Sequence, residues 1–288
     1  MTAVFAPALV RAIQTKGSPA CVGLDPVLDR LPEGIDRLDP ARALEAFSTE
    51  VLHAVVAHVP AVKVQSACFE RYGSPGFAAM ERVIMRARDL GLVVIYDAKR
   101  GDIGVSARHY AAAAANIGAH AITLSPYLGP ETIEPYLKEE LGVFVLVRTS
   151  NPGSAPMQTP ALTSGRGIAQ HVASLTTFLG EAWIDPESGL SDVGAVVGAT
   201  QSSEAAALRA IMPDQVFLVP GYGAQGGTAD DIRVMRRPNA AGAHDAGVIV
   251  TASRSVIYAA PQDGEAWYQA VERAAKDLCD ELSDVVAG

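Results

Sequence analysis

Cysteine is scarce. Cys21, Cys68 and Cys279 are all that 288 residues contain, an odd and unclustered set. No disulfide framework and no zinc-ligand spacing follow from them, and a reducing cytoplasm is the simplest compartment. Long apolar runs are also missing. Nothing approaches the roughly 20 residues needed to span a bilayer, so no membrane partner is expected. The opening MTAVFAPALVRAIQTKG has neither a basic n-region nor an extended h-region, and no secretory signal is expected there. Basic residues are outnumbered, with Lys plus Arg at 23 against Asp plus Glu at 32 and a formal net charge of −9. That balance argues against coating nucleic acid, which needs a basic face. It leaves open a small phosphorylated ligand, which needs only a few local donors. Charged residues are 19% and apolar residues 49%, which excludes a disordered chain. The length suffices for a sizeable core, and residues 1–288 read as one domain.

What is present is a recurrent short apolar run. Strands are expected at 20–24, 61–65, 92–96, 121–124, 143–147, 193–197, 216–219 and 247–251. Most are rich in Val and Ile without alternation, as parallel strands covered on both faces would be. Helical spacing separates most of them. Leu44, Phe47, Val51, Leu52 and Val55 mark 41–59, and Phe77, Met80, Val83, Ile84 and Ala87 mark 75–90. Further helices are expected at 107–117, with Ser106 as N-cap, and at 165–180, 203–211 and 264–286, with a weaker one at 228–236. Eight strands alternating with helices predict a (β/α)8 TIM barrel, an α/β fold; a doubly wound open sheet is the alternative. Two irregular stretches, 25–40 and 151–164, each follow a strand, where a barrel places its binding loops.

The fold makes the strand ends a test, because barrel active sites sit at the C-terminal rim. Strand one ends in Asp25 and strand two carries Lys63. Strand three runs into Asp97, Lys99 and Asp102, and strand five into Arg148, Thr149 and Ser150. Strand seven meets the Gly-rich GYGAQGG, and strand eight meets Ser253, Arg254 and Ser255. Asp97 and Lys99 are two apart, so an extended chain points both to one face, the barrel interior. A lysine there needs a carboxylate partner. Alternating Lys63, Asp97, Lys99 and Asp102 would pair every charge and keep the ammonium groups protonated. A solvated charge pair is the plain reading of D-x-K-x-x-D in isolation; the lysine on the neighbouring strand and the phosphate-type signals argue against it. The glycine turn offers unobstructed backbone N–H groups, and Arg254 can make a bidentate, charge-assisted contact.

At these residues the chain resembles the orotidine 5′-phosphate decarboxylase family. DAKRGDI (residues 97–103) is similar to the family's D-x-K-x-x-D-I signature. VGLDP, AVKVQ around Lys63, TSNPG, PGYGAQGG and SRS extend the likeness over nearly the whole chain. The form DAKRGD and the extra length look like the longer bacterial subgroup. The resemblance implies decarboxylation of orotidine 5′-monophosphate to uridine 5′-monophosphate, the last step of de novo pyrimidine synthesis, without metal or organic cofactor. It implies Lys99 as proton donor to C6 of the pyrimidine and Asp97 beside the departing carboxylate. Lys63 and Asp102 would complete the charged array, with Lys63 and Asp25 touching ribose hydroxyls. It implies a homodimer in which Asp102 serves the partner's site. Ile103 and Ser106, which follow it in the signature region, join the candidate substrate contacts. Ser150 would bond the pyrimidine edge. Gln225 and Arg254 would hold the phosphate, helped by backbone N–H groups near Gly223 and Arg254, with Pro220, Gly221 and Ser253 as further substrate contacts. Two departures stand out: many members have Gly where this chain has Ser253, and Thr where it has Ser106.

The chemistry fits that residue set. Loss of CO2 leaves a carbanion that no π-system delocalises, so the protein must act by electrostatics and positioning. A sugar-phosphate enzyme of the same superfamily would need magnesium held by carboxylates, and Lys63 would repel it. A non-catalytic nucleotide-binding barrel would have no use for the charged set. Arg148 is left open between a phosphate contact and an ion pair. Cys21 and Cys68 read as buried thiols, and Trp183 and Trp267 as packing residues.

Overall fold

A computed structural model describes residues 2–223 and 226–287. Eight parallel strands close a barrel in sequence order. They are β1 (Ala20–Leu24), β2 (Ala61–Gln65), β3 (Val93–Arg100), β4 (Ala121–Leu124), β5 (Gly142–Arg148), β6 (Ser191–Val197), β7 (Gln215–Pro220) and β8 (Val248–Ala252). The (β/α)8 expectation holds, and the open-sheet alternative falls because β1 pairs with β8. Three of the expected strands match residue for residue. β3 is the informative exception, running four residues past its apolar core through Asp97, Ala98, Lys99 and Arg100. Its polar tail was not legible as strand, because its pairing to β4 is irregular between Tyr96 and Arg100.

Alternation along each strand divides the core in two. Val22, Val62, Val94, Ile122, Val145, Phe217 and Val250 face outward into the layer beneath the helices. Cys21, Ala61, Val93, Ile95, Ala121, Phe144, Val196, Val216, Leu218 and Ile249 face inward. The outer layer is supplied chiefly by Pro40–Val55, Gly73–Asp89, Ile168–Gly180 and Trp267–Ala287. Met80 is buried there, but Phe77 is exposed. The inward face of its helix runs through Gly76, Ala79, Met80, Val83, Ile84 and Ala87, and Phe77 lies about 100° off Gly76. Trp267 packs as expected, stacking on Phe47 with ring centroids 5.4 Å apart.

The inner core is closed from below by the helix Phe5–Lys16, which has Phe5, Leu9 and Ile13 buried on its barrel side. Phe5 meets Phe144 edge-on at 5.5 Å. It fits because β5 starts with Gly142, where a Cβ would lie 2.3 Å from the Phe5 ring. The carboxylate of Asp192 accepts the backbone N–H groups of Val4 and Ala6 at 2.7 and 2.6 Å, which fixes the helix start beneath the barrel. The floor of the inner core is thus closed by the apolar face of this helix, and the opposite rim carries the polar strand ends. Among the described residues no helix is long and apolar enough to cross a membrane.

Candidate active site

The C-terminal rim surrounds a cavity of about 480 Å³. Asp25, Lys63, Asp97, Lys99, Ser150, Pro220, Gly221, Ser253 and Arg254 all line it, as expected from the strand ends. Lys63 follows Ala61 on the inward face of β2, and Asp97 follows Ile95 on that of β3. The period of two thus carries the inner core into a charged layer.

That layer is an alternating row. The Lys63 ammonium lies 3.3 Å from Asp25 Oδ1 and 3.0 Å from Asp97 Oδ2. Lys99 Nζ lies 2.6 Å from Asp97 Oδ1. Asp97 is the hub, for it also accepts from Gln65 Nε2 at 3.0 Å and from Thr123 Oγ1 at 2.9 Å. Burial works against the ionised form of Asp97, but Lys63 and Lys99 outweigh it and hold the carboxyl well below the usual carboxylate range. Burial likewise works against the Lys63 ammonium, and Asp97 and then Asp25 reverse this, raising it above the ordinary lysine value. The two lysines differ in exposure: the Lys63 side chain is 7% exposed and that of Lys99 47%. Lys63 is therefore a locked internal charge. Lys99 is the ammonium that reaches the open cavity, anchored at one end only.

Asp102 does not join this row within its own chain. Its Oδ1 accepts the N–H of Ile103 at 2.8 Å, and Asp25 takes the fourth place in the alternation instead. β3 ends at Arg100, so the chain has already turned out of the barrel at Asp102. Ile103 and Ser106 lie outside the cavity too, on the exposed start of the helix Gly104–Asn116. Ser106 is not the N-cap. The chain leaves the extended region at Ile103, which takes that position, and Ser106 is already in the first turn.

The glycine turn after β7 folds on itself, with Gly223 N–H donating to Gly227 O at 3.0 Å. That N–H is spent within the loop. Gln225 lies outside the described residues. Across the rim, Ser253 sits over Gly23, where a Cβ would be 1.9 Å from its hydroxyl oxygen. Ser253 thus occupies the space that a side chain at β1 would need, and Gly23 permits the departure at that position. Arg254 lines the cavity, exposed, and among the described residues its side chain makes no hydrogen bond or ion pair.

Arg148 is an ion-pairing residue. It is 4% exposed, and its Nε lies 3.1 Å from both carboxylate oxygens of Glu204. Its Nη1 donates to Ser154 Oγ at 2.6 Å, which ties down the segment after β5 that carries Ser150. Stretch 151–164 is in part built structure, containing the short helix Ala155–Gln158. Gln158 folds back to accept the Thr149 N–H at 2.9 Å, and Asn151 and Gln158 both line the cavity. Among the polar residues lining the cavity, Gln65, Thr123, Asn151, Gln158 and Thr251 escaped sequence reasoning. Gln65 was accessible, since it is two residues beyond Lys63 on the same face. Beneath the row, burial pushes the Cys21 thiol up to about 12, so it is a neutral packing group.

Comparison with known proteins agrees with this geometry. Residues 19–270 match the Orotidine 5′-phosphate decarboxylase / HUMPS family. The chain belongs to that family. Among curated proteins it is 40% identical to the orotidine 5′-phosphate decarboxylase of Rhodopirellula baltica, over 96% of this chain and 98% of the relative. It is also 40% identical to that of Halorubrum lacusprofundi, over 95% and 96%. Among solved structures it resembles the OMP decarboxylase of Leishmania donovani at 31% identity and a TM-score of 0.78, covering 98% of both chains. The decarboxylase family membership therefore spans the whole rim described above, from Asp25 to Arg254.

Proposed function

We propose that this chain converts orotidine 5′-monophosphate to uridine 5′-monophosphate and CO2. The observation that carries the reading is the Asp25–Lys63–Asp97–Lys99 row, with the exposed ammonium of Lys99 at the end that meets the cavity. The C6–carboxylate bond breaks and its electron pair stays on C6. The Lys99 ammonium stabilises that charge and then donates its proton to C6, leaving an amine that solvent reprotonates. Asp97 sits beside the departing carboxylate and keeps Lys99 charged and aimed. Lys63 and Asp25 take the ribose hydroxyls, and Ser150 takes the pyrimidine edge. Arg254 and Gln225 take the phosphate, with Pro220 and Gly221 forming the adjoining wall. Phosphate binding is remote from C6, yet it can help assemble the site and so raise kcat.

No metal takes part in this reading. Lys63 Nζ already fills the gap between Asp25 and Asp97, the place a divalent ion would need. The working unit is one domain in a homodimer, in the cytoplasm. Support for the dimer comes from apolar side chains clustered near Asp102 in sequence and at the adjoining β4 rim. Ile103, Val105, Tyr127 and Leu128 are 59%, 57%, 85% and 44% exposed. Covering them with a second copy would bring Asp102, Ile103 and Ser106 toward the partner's cavity. The test is to mix purified protein with orotidine 5′-monophosphate and follow loss of its ultraviolet absorbance, with and without EDTA. Equal loss in both arms is expected. No loss, or loss abolished by EDTA, overturns the reading.

A further inference from the structure

We propose that Thr123 is a positioning residue for the Asp97–Lys99 pair, acting through a single hydroxyl that bonds both residues. The inference rests on the reading of Lys99 given above. β4 is the four-residue strand AITL, and Thr123 is its one polar member. Its side chain is essentially buried, at 1% exposure. A hydroxyl so placed is tolerated only when its bonds are made. Both are made. Lys99 N–H donates to Thr123 Oγ1 at 2.9 Å, and the hydroxyl donates in turn to Asp97 Oδ1 at 2.9 Å. The polarity has no alternative, since a backbone N–H can only donate and an ionised carboxylate can only accept.

The arrangement does more than satisfy a buried group. The β3–β4 pairing passes from Tyr96↔Ile122 to Arg100↔Leu124, so residues 97–99 stand against Thr123 alone. Thr123 supplies by side chain the bond that the backbone ladder omits. It does so where Lys99 has φ +46°, a left-handed conformation shared among non-glycine described residues only by Glu140. Such a conformation persists only where its surroundings impose it. Asp97 Oδ1 also receives the Lys99 ammonium at 2.6 Å. One hydroxyl thus fixes the backbone of Lys99 and the oxygen that anchors its charge.

Thr123→Val keeps the shape and deletes both bonds; Thr123→Ser keeps both. We expect Thr123→Val to lower kcat by about 10- to 100-fold while KM for orotidine 5′-monophosphate changes less than threefold. Thr123→Ser should stay within about threefold of the parent in both constants. Thr123→Ala is the second deletion, used if the valine variant does not fold. A role confined to stability would lower the unfolding temperature without this split or the rescue by serine. A second readout needs no substrate: acetylation of Lys99 by acetic anhydride, measured by mass spectrometry relative to Lys138. It should speed up severalfold in the deletion variants and stay unchanged in Thr123→Ser. If the parent fails to decarboxylate orotidine 5′-monophosphate, the proposed reaction falls and the acetylation ratio alone decides. A folded deletion variant with parental kcat, or with parental Lys99 acetylation, overturns the role of Thr123, as does a serine variant as impaired as the valine one.

Discussion

Lys63 and Asp97 were legible one residue at a time. Each continues the inward parity of an apolar strand, and a charge in that position needs an opposite charge within reach. Thr123 was not, because a threonine in a short apolar strand is equally at home as packing. Arg148 was ambiguous for a physical reason: a guanidinium at a barrel rim can face the cavity or its wall, and the deciding partner, Glu204, is 56 residues away. Arg254 carries a prediction of its own. Arg254→Ala should lower kcat/KM by about ten- to a hundredfold, the range of a charge-assisted hydrogen bond, with part of the loss in kcat because phosphate binding helps assemble the site. Steady-state kinetics measures the split, and a loss confined to KM would refute the contribution to rate.

Elements were legible where burial is uniform. β1 is apolar throughout and β2 and β4 are buried nearly end to end, so all three could be read residue for residue, whereas the tail of β3 is polar because it is the site. The helix Phe5–Lys16 has a plain helical period in Phe5, Leu9 and Ile13, but nothing local says that it plugs a barrel. Phe5→Ala should destabilise the fold by about 3–5 kcal/mol, as large-to-small changes in a core do, while leaving KM unchanged. Denaturant unfolding checks the first and kinetics the second. At the β3–β4 junction, His120 Nδ1 accepts the Val94 N–H at 3.0 Å. Burial first, and Arg88 second, lower its pKa from the ordinary 6.5. The unfolded chain therefore takes up this proton at a higher pH than the folded one. The stability contribution is full above 6.5 and is lost as pH falls from there through the lower folded value. Between about pH 7.5 and pH 5 the parent should lose more unfolding free energy than His120→Gln does, measured by denaturant titration at each pH. Equal losses would remove His120 from the account.

At the scale of the whole molecule, the barrel brings together residues as distant as Asp25 and Arg254, and the order of strand ends made that convergence legible before any coordinates. Asp102 marks the limit of that legibility. Its neighbours in sequence placed it with the array, yet within one chain it turns away, and the proposed second copy is what would give it a role at the cavity. Mixing Asp97→Ala chains with Asp102→Ala chains should restore some activity, because each heterodimer then holds one intact site; none in verified heterodimers would remove the shared-site claim. The central claim, that a row of alternating charges ends in a proton-donating ammonium, is tested most directly by Lys99→Ala. Measured against the parent at saturating orotidine 5′-monophosphate, the account predicts a loss of about three orders of magnitude or more in kcat, at or beyond the upper end of general acid catalysis. A correctly folded Lys99→Ala protein turning over near the parental rate would contradict it.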